Sequence, residues 1–167
     1  GADGLNSENK IQDLTLSTDF TFFQTSQLEW RTGTQIKQLN IVYLNTFLED
    51  TSFFIGESPV EASFYGKLKY KISPYIIFEP GIRYNYYSVY SSTPYIDLRL
   101  GTKYLLTEDR YINFAVGNYH QFIQTIQDDY NPSVLDNWLA VDNSVHPASA
   151  QQIVLGYEEY IKNTHKL

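Results

Sequence analysis

Side-chain polarity in this chain alternates with a period of two, segment after segment, and this restricts the possible fold more than any other feature. In Val60-Glu61-Ala62-Ser63-Phe64-Tyr65-Gly66-Lys67-Leu68-Lys69-Tyr70-Lys71-Ile72 every even position is apolar or small, and most odd positions are charged or polar. A β-strand sends successive side chains to opposite faces, so such a segment has one oily face and one wet face. The pattern recurs where Ile76, Phe78, Pro80, Ile82, Tyr84 and Tyr86 interleave with Glu79, Gly81, Arg83 and Asn85. It recurs again where Ile96, Leu98, Leu100, Thr102 and Tyr104 interleave with Asp97, Arg99, Gly101 and Lys103. Alternating segments of about ten residues separated by turn residues are the signature of a membrane-spanning β-barrel. A soluble β-sandwich, whose core is also lined by every second residue, is the competing architecture.

Applied along the whole chain, the pattern predicts an all-β fold of about seven antiparallel up-and-down strands. They fall near 11–23, 28–43, 60–72, 75–88, 94–106, 110–123 and 150–162. In the second strand the apolar phase starts as Leu28, Trp30, Thr32, Thr34, Ile36 and then flips to Leu39, Ile41, Tyr43. A β-bulge would produce that flip, as would a strand that continues above the membrane. Connections near 24–27, 73–74 and 107–109 are short, while those near 45–58 and 124–148 are long. Up-down topology puts the short ones on one side and the long ones on the other, as in a barrel with periplasmic turns and outer loops. A tight turn at Ser73-Pro74 would set Lys67 opposite Glu79 on the wet face. Aromatics gather by the short turns (Phe22, Phe23, Trp30, Tyr70, Tyr75, Phe78, Tyr104, Tyr111) and by the opposite ends (Tyr84, Tyr86, Tyr87, Tyr95, Phe122), as two interfacial belts would.

Composition removes several function classes. The chain has 167 residues and suits one domain, spanning 1–167 as a β-barrel segment. It has no cysteine, so neither disulfides nor thiolate metal sites are available. The net charge of -7, with Lys and Arg scattered over several strands, argues against nucleic acid as a partner. Its 15 tyrosines favour strands. The negative mean hydropathy is compatible with a barrel, since each strand shows lipid only one face.

The segment Pro94-Tyr95-Ile96-Asp97-Leu98-Arg99-Leu100-Gly101-Thr102-Lys103-Tyr104, the strand around Gly117, Tyr119 and Gln121, and the run from Pro147 and Ala150 to Leu155-Gly156 together resemble the mid-barrel of TonB-dependent outer-membrane receptors, especially Bacteroidetes-like forms. Receptors of this kind close about 22 strands around a plug. The resemblance therefore implies an incomplete segment of a larger barrel in a bacterial outer membrane. It implies outer-membrane lipid, the remainder of the barrel with its plug, and a TonB-type energising complex as partners. The implied function is energised uptake of a scarce extracellular ligand such as a siderophore, cobalamin, glycan or peptide. Two other readings stay open. One is a complete small barrel, acting as a pore, adhesin or structural protein, in which residues near 160 pair with residues near 11. The other is a soluble β-sandwich binding module, in which the even-face residues bury against each other.

No enzyme chemistry is expected, and no cofactor. His120 falls on the even parity of its strand, His146 in a loop and His165 in the C-terminal tail, none with a nucleophile at a useful spacing. The acidic stretch from Asp128 and Asp129 through Asp136 to Asp142 lacks the glycine and ligand spacing of a calcium loop, so no metal site is expected. Wet-face cations (Arg31, Lys67, Lys69, Arg83, Arg99, Lys103) either attract anions or pair with acidic residues inside a filled lumen, the second being the commoner outcome. On the uptake reading, Tyr119 and Gln121, inward residues at the outer rim, and Trp138 in the long loop are the ligand-binding candidates. Their plainer role is packing against a plug or neighbouring loops.

Overall fold

The computed structural model describes residues 5–47, 50–90, 94–126, 137–140 and 146–161. Seven long strands form one antiparallel sheet: β1 (Leu5–Phe23), β2 (Leu28–Phe47), β4 (Val60–Ser73), β5 (Ile76–Tyr87), β6 (Tyr95–Thr107), β7 (Arg110–Gln121) and β10 (Ala148–Glu159). Each pairs with the next in that order, giving an up-and-down meander curled into a half-barrel. β1 pairs only with β2 and β10 only with β7, so the sheet of described residues does not close on itself.

Three shorter strands lie in the segments expected to be loops. β3 (Asp50–Glu57) pairs with the outer half of β2, and β8 (Ile123–Ile126) pairs with β9 (Asn137–Ala140) as a separate hairpin. β9 comes against β1 and β2, at the opposite edge of the sheet from β7. The phase flip in β2 is not a bulge in its pairing with β1. The β1–β2 register runs unbroken from Leu5↔Phe47 to Phe23↔Glu29. The strand continues past the end of β4, and there the odd residues Leu39 and Ile41 become fully buried.

Register explains why one face stays apolar across the sheet. In every pairing from β1 to β7 the main register joins even residues to even residues, as in Leu16↔Ile36, Trp30↔Leu68, Phe64↔Tyr84, Ile82↔Leu98 and Leu100↔Val116. Between β7 and β10 the parity inverts, Phe114 facing Leu155 and Val116 facing Ile153. The odd apolar residues of β10 therefore join the even ones of the other strands. This shared face is open: Leu16 is 69% exposed, Leu98 57% and Leu155 75%. A sandwich would bury it. From Leu14 to Phe22, Leu28 to Ile36, Ala62 to Ile72, Ile76 to Tyr86, Ile96 to Leu106 and Ile112 to Asn118 the even residues carry no charge. Three of the threonines on this face bond within the sheet. Thr18 and Thr34 hydroxyls bond each other at 2.9 Å, and the Thr32 hydroxyl donates to the Tyr65 carbonyl at 2.9 Å.

The short turns are tight. Thr25 Oγ1 accepts from the backbone N–H of Gln27 and Leu28, and Trp30 Nε1 donates to Gln24 Oε1 at 2.9 Å. Pro74 and Tyr75 join Ser73 to Ile76, with a register shift between Lys71 and Ser73. The position of the turn corrects one expectation. Lys67 faces Gly81, not Glu79, and reaches Glu79 diagonally with Nζ 3.4 Å from Oε1. The aromatics divide unequally. Phe22, Phe23, Trp30, Tyr70, Tyr75 and Tyr104 are exposed beside the short turns. At the opposite end Tyr84 is exposed, but Tyr87 is fully buried and stacks on Phe122 at 4.9 Å, with Tyr95 edge-on at 5.3 Å. Tyr87 and Tyr95 are odd, so they build a rim core, not a belt.

One glycine is required by a close approach. Asp19, Gly33 and Tyr65 are neighbours in one cross-strand row, and the Tyr65 hydroxyl reaches over Gly33 to bond Asp19. A Cβ at Gly33 would lie 2.5 Å from the Tyr65 ring and 2.7 Å from the Thr18 carbonyl oxygen. Gly66, on the open face, has nothing within 4 Å of the same position. Gly33→Ala is therefore expected to destabilise the fold by about 1–3 kcal/mol through overpacking. Gly66→Ala should stabilise it by about 0.5–1 kcal/mol, because alanine loses less chain entropy in a strand. Urea unfolding of the two variants in detergent micelles checks the opposite signs.

Candidate functional site

The concave face carries the chemistry. Two adjacent cross-strand rows define it. The first is Asp19–Gly33–Tyr65–Arg83–Asp97, and the second is Thr21–Arg31–Lys67–Gly81–Arg99–Gly117–Gln152. In the second row Arg99 stands between two glycines. With no side chains beside it, a long side chain has room to lie along the sheet, and a groove opens over the backbone. That groove has a volume of about 530 Å³. Gly81, Gly101 and Ala115 form its floor, and Arg83, Arg99 and Tyr119 rise around it.

Above the groove a polar network crosses five strands. Arg83 Nη2 donates to Ser63 Oγ at 2.8 Å and to Gln35 Oε1 at 3.1 Å, and its Nε donates to Asn85 Oδ1 at 3.0 Å. Asn85 Nδ2 donates to Asp97 Oδ2 at 3.0 Å. Asp97 Oδ1 lies 2.6 Å from His120 Nδ1. Asp97 is only 3% exposed, so these partners are what make its burial tolerable. Arg83 and Asp97 are register partners. Even so, the carboxylate bonds to Asn85 and His120, and the guanidinium bonds to neutral oxygens.

His120 reaches Asp97 because β7 leaves β6 near its outer end. The ladder between them runs only as far as Arg99↔Gly117. Beyond it the Asn118 side chain takes the place of a strand backbone. Its Oδ1 accepts from the Leu98 N–H at 2.7 Å, and its Nδ2 donates to the Ile96 carbonyl at 2.9 Å. A carboxamide offers a carbonyl acceptor and N–H donors, so it can stand in for the one donor and one acceptor of a peptide group. Even parity, extended along β7, would turn His120 away from Asp97. The departure of β7 overrides that expectation.

The three residues singled out from sequence fall in different settings. Tyr119 borders the groove, and the Arg99 guanidinium carbon lies 4.6 Å from its ring centroid, a cation–π geometry. Gln121 lies two residues further along β7 and bonds locally, its Nε2 donating to the Ile123 carbonyl at 2.7 Å. Trp138 lies on β9, opposite Thr125. Arg83, Arg99 and Tyr65 complete the arrangement around Tyr119. Their signal in the sequence was parity alone: all are odd residues in apolar-even strands. The acidic residues Asp128, Asp129, Asp136 and Asp142 lie outside the described residues. Among the described residues no three His, Asp or Glu side chains gather as metal ligands.

The wet-face cations split into two groups. Arg31 pairs with Glu29 at 2.6 Å, Lys67 with Glu79 at 3.4 Å and Lys103 with Glu158 at 2.7 Å. These pairs are partly exposed, and such pairs contribute modestly, about 0–1 kcal/mol each. Arg83 and Arg99 have no carboxylate partner among the described residues. Comparison with protein-family models, with curated proteins and with solved structures finds no match for this chain.

The Asn118 bridge makes a local prediction. Asn118→Ala removes the acceptor of the Leu98 amide and the donor to Ile96, so the Leu98 amide should exchange with deuterium at least tenfold faster. The amide of Leu100, held in the regular ladder, should keep its protection. Unchanged protection at Leu98 would show that the carboxamide is dispensable there.

Proposed function

We propose that these strands are part of the wall of a transmembrane β-barrel in a bacterial outer membrane. We further propose that the barrel is an uptake receptor of the TonB-dependent kind. The observation that carries the first step is the uncharged convex face. It is continuous over seven strands, three of its threonine hydroxyls bond within the sheet, and it has no cover among the described residues. In water such a face is unfavourable by about 25 cal/mol for each Å² of apolar surface left exposed. In lipid it is the expected surface, because the backbone groups of the strands inside the sheet are paired with their neighbours and the face carries few polar groups. β4 to β7 and β10 are 12 to 14 residues long, enough to cross a bilayer at a tilt. The exposed aromatics at the short-turn end suit a headgroup layer.

The receptor assignment rests on the resemblance of the Pro94–Tyr104, Gly117–Gln121 and Pro147–Gly156 stretches to barrels of that family. It is supported by a polar concave face with a groove. On this reading the convex face meets lipid, the concave face meets a plug and the ligand, and the outer segments around β3 and β8–β9 form the entrance. A complete small barrel is the second reading. It asks for pairing between β1 and β10, whereas β1 pairs with β2 alone and β10 with β7 alone.

Two measurements test the proposal. Leu98→Arg, at mid-height on the convex face, should cost about 2–4 kcal/mol in urea unfolding from lipid vesicles. Ser17→Arg, on the concave face, should cost less than about 0.5 kcal/mol. Equal costs would remove lipid as the cover of the convex face. In outer membranes of the source cell, an antibody to the 124–148 segment should detect a band several times heavier than the 19.4 kDa of this chain. A band near that mass would overturn the receptor assignment and leave the small barrel.

A further inference from the structure

We infer that the concave groove is an oxyanion-binding subsite that takes a carboxylate or phosphate group of a small ligand, with Arg99 as its principal contact and Tyr119 as the residue that holds Arg99 in place. The inference stands on the groove and does not require the uptake reading.

Charge around the groove is the first observation. Lys67 is matched by Glu79, while Arg83 and Arg99 are not matched by any carboxylate among the described residues. The groove lining therefore holds three cations, Lys67, Arg83 and Arg99, against the single carboxylate of Glu79, with Glu61 and Asp97 as the acids nearest Arg83 beyond the lining, in a chain whose net charge is -7. The acid best placed to neutralise Arg83 is Asp97, its register partner, and Asp97 is committed to Asn85 and His120. Asp97 thus makes no direct ion pair with Arg83, and it makes none with Arg99.

Geometry is the second observation. The Arg99 guanidinium carbon lies over the Tyr119 ring, 4.6 Å from its centroid. Among the described residues no hydrogen bond engages the Arg99 guanidinium, so its N–H groups are available to a ligand. A planar fork of available N–H groups matches two oxygens of one carboxylate or phosphate. The glycines on either side keep the fork reachable. A Cβ at Gly117 would lie 3.2 Å from Arg99 Cγ and 3.3 Å from the Tyr119 hydroxyl, so even a methyl group there would press on the pair. Gly81, on the other side, belongs to the floor of the groove.

Two plainer roles for Arg99 fit less well. A structural cation would be paired as Lys103 is with Glu158, and a solvated one has no need of an aromatic partner and a glycine on each flank. The floor of glycine and alanine backbone leaves volume for a ligand body attached to the anionic group.

Sodium citrate, sodium phosphate and neutral maltose serve as probes for the carboxylate, phosphate and uncharged cases. Each is titrated by calorimetry at constant ionic strength into the full-length protein containing this chain, in detergent micelles. Saturable binding of citrate or phosphate is expected, the tighter of the two identifying the source of the oxyanion, with none for maltose. Arg99→Gln should weaken that binding at least tenfold, and Arg99→Lys should weaken it less, since the charge stays and the fork is lost. Lys103→Gln, which removes an equal charge outside the groove, should leave binding within twofold. Circular dichroism and urea midpoints establish that each variant is folded. No saturable oxyanion binding to the wild-type protein overturns the inference. So does binding that Arg99→Gln leaves intact, or that Lys103→Gln weakens equally.

Discussion

The antiparallel register is the constraint on which everything else here depends. Two faces of opposite character survive over seven strands only if each pairing keeps track of which residues point outward. Even-to-even pairing from β1 through β7 does so, and the odd-to-even pairing of β10 with β7 compensates for the reversed phase of its own sequence. Had any main pairing slipped by one residue, Lys67, Arg83 and Arg99 would point to the oily side and Leu68, Ile82 and Leu98 to the groove. Such a slip would set charged groups against apolar surroundings at a cost of several kcal/mol, far more than a ladder of backbone bonds gains by sliding.

Parity was legible in the sequence because it needs only local information. Leu14 to Phe22 and Ala62 to Ile72 announce their outward residues without any knowledge of neighbours. The split between short turns and long connections was visible for the same reason. Three features were not. β3 pairs with the end of β2 that overshoots β4, so its existence depends on how far one strand outruns another. The hairpin turns at Pro74-Tyr75, with Ser73 facing Ile76, and this sets Lys67 opposite Gly81, two residues past Glu79; nothing in Ile72-Ser73-Pro74 alone dictates it. His120 joins Asp97 because β7 separates from β6 at Asn118, a tertiary event that parity cannot encode.

The candidate site was legible in part. Tyr119 emerged from sequence as an inward rim residue and does border the groove. Arg99 and Arg83 were visible only as members of a class of six wet-face cations, three of which, Arg31, Lys67 and Lys103, pair with acids. What separates them is where the acids go, and that is decided by side chains on other strands. Asp97 illustrates the point. Its register partner is an arginine, yet its two oxygens bond an asparagine and a histidine. A cross-strand charge rule applied to residues 83 and 97 would have assigned an ion pair and so hidden the positive character of the groove.

The inverted parity of β10 has a consequence for how such a chain tolerates change. A hairpin turn behaves like a reading frame. Adding or losing one residue between Thr107 and Arg110 would turn every residue of β7 inside out, and adding or losing two would preserve it. The connection between β7 and β10 is already out of frame with the rest and spans more than twenty residues of irregular length requirement. It absorbs the shift, and β10 restores the outward phase on its own. Changes of length in that connection leave the strand phases intact, while a single-residue change at a short turn has to be absorbed by a local register shift such as those beside Ser73 and Thr107. The same arithmetic that builds a two-faced wall leaves that connection free to vary and constrains the short turns.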